Sequence, residues 1–517
     1  MGARGPSIFS DPLVPQARSL RLRKNESIAI PYLKSHGSKM QWISGTLELT
    51  SKVRYGLSSH GHPLFRFIPY DRRWAPFAVA SSMRDFSTNI HAIIEPIQTK
   101  SLSPMPKGSI VQLLGQPSEH SEKAMLLMSY AYDSNKELRK IIPSGVTSFR
   151  PDDRETVEGF TFHIDPPGCM DVDDAFTFQK TASGWKVYIH ISDVDAWIPA
   201  ASATDEVAKR RATTFYSLDG KALAPMFPPA ISEQSATLLP SNTSLKPALS
   251  LTFTWTEGRI EDLRWAKTLI RCDRSFTYDE ASELVDTIPE LAALRDLSTH
   301  LSSEEADIHT DAHLWVQSLM ILYNTRAGVL LREKGKGILR RHSAKKKELL
   351  TKVNQTGFSF MGMYAAEYVD ARDEDVAHAG LDKEAYAYAT SPIRRYCDLV
   401  NQRYIKDIIS PADPPFTVEI APLVAELNRR QKQEKAFTRD LFFMEVLSSS
   451  VKEVEGVAVS EKRVWIPEWK RCISIKSKVN EGEKYKITWY ENRGLPHWKE
   501  RIVFRADSFS RVNSSPL

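Results

Sequence analysis

The sequence predicts an α+β protein in which two small β-barrels flank a larger mixed domain. Three observations carry that expectation. The chain has 517 residues, too many for one ordinary hydrophobic core. Short strand-like runs separated by Gly and Pro fill residues from about 40 to 130 and again from about 446 to 505, as in small barrels. Between these stretches, strand patterns mix with helical spacing. The expected divisions are a loosely ordered basic tail over 1–38, a barrel over 39–145, a central domain over 146–445 and a second barrel over 446–517.

The tail, MGARGPSIFSDPLVPQARSLRLRK, is rich in arginine and nearly free of acid. That composition fits a disordered basic extension or a mitochondrial transit segment. Beyond it, TLELTSKVRYGL, HPLFRFIPYDRRW, PKGSIVQLLG and AMLLMSYAY read as strands. In FRFIPYDRRW, Phe65, Phe67, Tyr70 and Trp74 sit among Arg66, Arg72 and Arg73. Such a mixture can stack bases and neutralise phosphates, and half a buried strand with a solvated turn explains it equally well. In the central domain WKVYIHISDV sets Val187, Ile189 and Ile191 against Lys186, Tyr188 and His190, the alternation of a half-buried strand. SLKPALSLTFTWTEGRI reads as strand and turn, while ELAALRDLSTHL, HLWVQSLMILYNTRAGVLLREKG and DLVNQRYIKDII carry helical spacing. The strands of the last segment, EGVAVSEKRVWIPEW, KRCISIKSKV, EKYKITWY and WKERIVFR, are rich in lysine and arginine.

Composition narrows the class only a little. With 42% hydrophobic and 26% charged residues the chain reads as soluble and globular. A net charge of +5 fits a polyanion partner without demanding one. Cys169, Cys272, Cys397 and Cys472 are scattered, which argues against a disulfide framework or a cysteine zinc site. A reducing, intracellular setting is expected, cytoplasmic first and mitochondrial second. No apolar run reaches bilayer-spanning length, so no membrane partner is expected.

HIDPPGCMDVDDAF (163–176) packs Asp165, Asp171, Asp173 and Asp174 into ten residues. Crowded carboxylates repel, and each is costly to bury unpaired. The Pro-Pro-Gly after Asp165 forbids a helix and favours a turn that folds Asp165 back toward Asp171–Asp174. Converging carboxylate oxygens suit a hard cation such as magnesium, with phosphate oxygens as further ligands. A calcium EF-hand is excluded, because Phe176 stands where that loop requires glycine. A solvated acidic turn is the alternative; the flanking Ile164, Val172, Ala175 and Phe176 favour a half-buried one.

YATSPIRRYCDLVNQR (388–403) is the second informative stretch. Pro392 suits the first helical position with Ser391 as N-cap, which offers an anion site at the helix start. Arg394 and Arg395 would then lie in the first turn, where a phosphate makes basic residues tolerable. The alternative is an ordinary surface pair between Arg394 and Asp398, four residues apart.

Together, I-D-P-x-x-x-x-D-x-D-D at 164–174 and T-S-P-I-R-R-Y-x-D-L at 390–399 resemble the catalytic (RNB) domain of the RNase II / RNase R family of 3′→5′ exoribonucleases. That family includes the exosome catalytic subunit. IHISDVDAWI, RRATTFYSLDGKALAPMFPPAIS, GILRRHS and HAGLDKEAYAYATSPIRRY follow in the family's order, and the flanking strands resemble its cold-shock-like and C-terminal OB-folds. The resemblance covers about 45–505. It implies magnesium-dependent (or manganese-dependent) hydrolysis of single-stranded RNA to nucleoside 5′-monophosphates. By position it implies Asp165, Asp171, Asp173 and Asp174 as metal ligands or water-orienting acids, and Arg394 as the phosphate grip. Tyr216 and Tyr278 would pack on the RNA. Arg395 at the helix start and Arg72 and Arg73 in FRFIPYDRRW are, from the residues themselves, further candidate RNA contacts. From the residues alone, either tyrosine reads equally as core. A helicase or RNA-decay complex is the partner class implied.

Four departures from the family pattern stand out. Ser318, after Gln317, occupies a position where many members carry an acid six residues before Asn324. The stretch from His342 to Thr390 is shorter than in bacterial members. Gln402 stands where histidine is common, and one clear N-terminal OB-fold replaces two. An RNA-binding protein on a nuclease scaffold with lost catalysis is therefore the alternative to an active enzyme. A DNA-directed phosphodiesterase is a third reading, because contacts to the ribose 2′-OH are not visible in sequence.

Overall fold

The computed structural model describes residues 42–97, 105–131, 154–240, 244–256, 258–302, 308–342, 366–412, 414–450, 452–492 and 498–508; the expected tail over 1–38 lies outside them. The described residues fall into two compact units, one within 154–436 and the other joining 42–131 with 437–508.

A seven-stranded sheet organises the central unit, in the order Arg274–Phe276, Thr161–Ile164, Asp174–Lys180, Trp185–Ser192, Lys246–Thr256, Arg259–Ile270, Glu155–Thr156. The five inner strands pair antiparallel and the two edge strands pair parallel to their neighbours. Trp185–Ser192 lies in the middle, and from Val187 onward every one of its side chains is buried. The expected half-exposed face is thereby corrected. Tyr188 joins an apolar cluster with Val172, Ala175, Leu238, Ala248 and Ile270, so layers cover both faces.

His190 on that strand has 0% exposure, its Nδ1 2.6 Å from Ser250 Oγ and its Nε2 2.9 Å from Thr177 Oγ1. Burial pushes its pKa down from 6.5 to about 3, and that of the buried His378 down to about 4. Because both folded values lie below the unfolded one, the unfolded chain binds more protons in acid. Their contribution is complete above about pH 6.5 and is lost as pH falls toward the folded values. Each histidine should add a slope of roughly 1.4 kcal/mol per pH unit below about pH 6. Melting curves between pH 7 and pH 5 should therefore show a falling transition temperature; a flat profile would contradict neutral burial of this pair.

Helix Ala312–Glu333 sends Trp315, Leu319, Tyr323, Ala327 and Leu331 into the core, one every four residues. At Gly328 a Cβ would stand 2.7 Å from the Tyr386 backbone, so only glycine lets residues 385–387 lie against this helix. The close approach positions the segment that leads to Arg394. Asn324 Oδ1 accepts the Ala389 N–H at 2.9 Å, and its Nδ2 reaches Thr390 Oγ1 at 3.2 Å.

In the second unit, Ile43–Leu47, Leu64–Pro69, Phe77–Ala80, Lys107–Gly115 and Ile90–Ile97 close a barrel in that order. Phe65, Phe67, Val79 and Ile94 fill it, so two of the aromatics of FRFIPYDRRW face the core. AMLLMSYAY, expected as a strand, falls largely in helix Glu119–Tyr130. Ser118 and Ser121 cap that helix reciprocally, and Met125 and Leu126 are buried from it. So short an apolar run has no period that distinguishes helix from strand, and the cap decides. The C-terminal strands form a five-stranded sheet in the order Arg471–Ser474, Arg463–Ile466, Glu453–Ser460, Lys484–Glu491, Ile502–Ser508. Within this unit Arg501 binds Glu122 through two N–H groups at 2.5 and 2.6 Å. Among the described residues no helix is long and apolar enough to cross a membrane. None of the four cysteines forms a disulfide.

Candidate active site

The acidic loop joins two neighbouring antiparallel strands, Thr161–Ile164 and Asp174–Lys180. Its Pro-Pro-Gly forms the expected turn: the Cys169 N–H donates to Pro166 O at 3.2 Å, and Gly168 has φ +77°, where glycine carries no steric penalty. Asp165 is tied by its backbone N–H to Phe276 O at 3.0 Å, and its Oδ2 lies 3.0 Å from His163 Nδ1. Asp171 Oδ2 accepts the Tyr216 hydroxyl at 2.5 Å. Asp173, its side chain 2% exposed, accepts the Ile393 N–H at 2.9 Å on Oδ1 and Arg394 Nε at 3.0 Å on Oδ2. Asp174 opens the next strand, in register with Ile191.

The arginine stretch differs from expectation in one respect. The helix runs Tyr396–Ile409, four residues later than Pro392 implies, and Arg395 is its N-cap residue. Arg394 therefore lies in a turn just before the helix and not in its first turn. Tertiary contacts hold that turn. Fully buried Asp398 accepts the Ser391 N–H at 2.8 Å, together with Nε and Nη2 of Arg395 at 2.9 and 2.7 Å. The Thr214 N–H donates to Arg394 O at 3.0 Å and the Tyr396 N–H to Ala212 O at 2.8 Å. This bridge fastens the turn beside Phe215–Tyr216. The alternative Arg394–Asp398 pair does not form; Arg395 pairs with Asp398 and Arg394 with Asp173.

Electrostatics follow from burial. Desolvation pushes the Asp173 carboxyl up to about 7, with Arg394 and the Ile393 N–H opposing and Asp171 adding repulsion. Both of its oxygens accept N–H donors, which is the arrangement of an ionised carboxylate. For Arg394 burial disfavours the charge, but Asp173, Tyr216 and Asp171 outweigh it and hold the pKa above the ordinary guanidinium value.

Asp171, Asp173, Tyr216 and Arg394 are thus brought together, with Asp165 and Asp174 at the two ends of the same loop. Tyr278 follows Phe276 by two residues and stacks on His313, ring centroids 3.5 Å apart and planes 10° apart. Arg395 lies 4.1 Å from the Tyr388 ring centre and is engaged by Asp398, a position that clamps the turn. Arg72 and Arg73 belong to the second unit and pair there with Glu500 at 2.8 Å and Asp71 at 2.6 Å. Sequence reasoning missed His163, which meets Asp165, Ser275, which meets the other nitrogen of His163, and the Ile393 N–H. The signal for His163 was its spacing: two residues apart on an extended strand, its side chain shares a side with Asp165.

Among the described residues no three His, Cys, Asp or Glu side chains are grouped closely enough to hold a metal ion. The donor set nevertheless fits magnesium, which takes carboxylate oxygens and is commonly held by only one or two of them with water and substrate phosphate.

Ser318 is 4% exposed, its hydroxyl donating to Leu314 O at 2.8 Å and lying 3.0 Å from Ser302 Oγ. It serves the contact between helices Pro289–Leu301 and Ala312–Glu333. Replacing it by the family's acid would bury an unmatched charge. Ser318→Glu should therefore cost about 3 kcal/mol in urea unfolding without raising activity; a more active, equally stable variant would contradict this placement.

The RNB domain family matches residues 153–411. Mouse 3′-5′ exoribonuclease HELZ2 is 35% identical over 146 residues, 28% of this chain and 5% of that protein. Ribonuclease R of Aquifex aeolicus is 25% identical over 412 residues, 64% of this chain and 58% of that one. The chain therefore spans at most about 58% of these two relatives. Among solved structures, Mycoplasma genitalium RNase R in complex with ribose methylated single-stranded RNA superposes with a TM-score of 0.72 at 15% identity, over 90% of this chain and 89% of that one. Yeast Ssd1, a pseudonuclease, gives 0.64 at 17% identity, over 84% and 65%.

Proposed function

The chain belongs to the RNB domain family, and from that premise we propose that it is a magnesium-dependent 3′→5′ exoribonuclease, hydrolysing single-stranded RNA to nucleoside 5′-monophosphates. The observation that carries this reading is the ion pair between buried Asp173 and part-exposed Arg394, set among Asp171 and Tyr216. A buried carboxylate held by one arginine is a weak source of stability, and a reactive centre explains its presence better. The relative named a 3′-5′ exoribonuclease gives it further support.

Of Asp165, Asp171, Asp173 and Asp174, one or two carboxylates would hold the metal together with water and substrate phosphate. When bound, divalent cations there would activate water and stabilise the leaving 3′ oxygen. Arg394 spends Nε on Asp173 and one Nη2 N–H on Ser391 Oγ. Its side chain is 34% exposed, so its remaining donors can meet a phosphate oxygen. Asp173 holds the guanidinium plane in place for that contact. Tyr216, steered by Asp171, and Tyr278, backed by His313, would pack against nucleotides.

The second reading is an RNA-binding protein with lost catalysis. Buried Ser318 and the likeness to a pseudonuclease favour it. RNA labelled at its 3′ end separates the two. An active enzyme releases labelled mononucleotide at the earliest times with magnesium and none with EDTA; a binding protein releases none in either. The same oligonucleotide made as DNA tests the choice of sugar.

A further inference from the structure

We propose that His163 is a positioning residue for Asp165, itself held in place by Ser275. The inference rests on the nuclease reading of the acidic loop and adds residues on which the motifs are silent.

His163 is 3% exposed. Its Nδ1 lies 3.0 Å from Asp165 Oδ2 and its Nε2 lies 2.7 Å from Ser275 Oγ. A carboxylate only accepts, so Nδ1 carries a proton toward Asp165, while Nε2 meets the Ser275 hydroxyl, which can donate or accept. The bonds link Ser275 through the imidazole to Asp165. Strand pairing builds it, because Ser275 lies in register with His163 in the parallel pair of Arg274–Phe276 with Thr161–Ile164.

Asp165 is consequently anchored twice to the same neighbouring strand. Its N–H donates to Phe276 O at 3.0 Å, and its carboxylate is held through the imidazole to Ser275. The first bond fixes the backbone and the second fixes the rotation of the carboxylate. Three residues after Ser275 comes Tyr278, the ring that stacks on His313. The short strand that supports Asp165 therefore runs straight into the helix Tyr278–Leu284, which opens with this ring. A buried histidine needs partners in any protein; here one of the two is a site carboxylate, whose orientation governs how water and cation meet the phosphate.

The test uses the full chain and three variants: His163→Leu, His163→Asn and Ser275→Ala. Asn places an amide N–H close to the position of Nδ1 and so restores the donor to Asp165. Expected for His163→Leu is a 10–100-fold fall in kcat with RNA affinity in EDTA unchanged, and a similar weakening of Mn2+ binding followed by electron paramagnetic resonance. His163→Asn should recover most of both losses. Ser275→Ala, at an exposed position that leaves folding intact, should lower kcat several-fold. A histidine that only fills space would cost stability alike in Leu and Asn and leave Mn2+ affinity of the folded protein unchanged, and that result would overturn the proposal. If the native chain cleaves no RNA, the nuclease reading fails, and the Mn2+ titrations alone decide the role of His163. Wild-type Mn2+ affinity in His163→Leu, or none in the native chain, would then sink it.

Discussion

Arg394→Ala should lower the turnover of single-stranded RNA by roughly 10²–10³-fold, the usual effect of removing one donor aimed at transition-state charge. Two losses combine. The donors that face a phosphate disappear, and among the described residues Asp173 keeps only the Ile393 N–H as a donor, with its side chain 2% exposed. The second loss should also cost about 3 kcal/mol in unfolding experiments, as for any buried carboxylate stripped of its counter-charge. RNA binding should weaken modestly, and the slope of log Kd against log salt should fall by about 0.7, one phosphate contact on a single strand. Arg394→Lys keeps the charge and loses the planar fork, so it should rescue binding better than turnover. Full activity in Arg394→Ala would remove the arginine from the site.

The second large effect is expected on stability. Arg403, its side chain 2% exposed, donates from Nε to Asp195 at 2.8 Å, from Nη1 to Asp205 at 2.9 Å and from Nη2 to Ile198 O at 2.9 Å. One turn further on, Lys406 binds Asp193 and Asp195 at 2.9 and 2.8 Å. These bonds fasten helix Tyr396–Ile409, and with it the turn that presents Arg394, against residues 193–205. Arg403→Ala leaves Asp205 buried without its cation and should cost roughly 3–5 kcal/mol. That is large beside the total stability of an ordinary domain. Urea unfolding measures it, and an unchanged midpoint would show the network to be dispensable.

How far sequence reached differs between the two halves of the site. The acidic loop was legible because its signals are local: four aspartates, a Pro-Pro-Gly turn and apolar flanks all lie within fourteen residues. The arginine turn was only half legible. Pro392 and Ser391 read as a helix start, but Asp398 and the bridge to residues 212–214 hold Ser391–Arg395 out of the helix. Spacing likewise pointed Arg394 at Asp398, whereas the partner it takes is 221 residues away in sequence. His163 and Ser275, 112 residues apart, meet only through parallel strand pairing, which no local pattern encodes. In the fold, the long helix with Trp315, Leu319 and Tyr323 was readable from its period. Of the flanking runs, HPLFRFIPYDRRW, PKGSIVQLLG and EKYKITWY hold strands, whereas AMLLMSYAY is largely helical and TLELTSKVRYGL is strand only at its first two residues. The burial of Tyr188 and His190 was not, because a central strand takes its second cover from distant layers.

The most direct test of the central claim is a time course on 5′-labelled single-stranded RNA, with magnesium or EDTA, comparing the native chain with Asp174→Asn. Expected is a magnesium-dependent ladder that shortens from the 3′ end to a small limit product, absent in the variant although the variant still shifts the RNA on a native gel. RNA left intact by the native chain yet shifted on the same gel would contradict the enzyme and leave a binding protein on the nuclease fold.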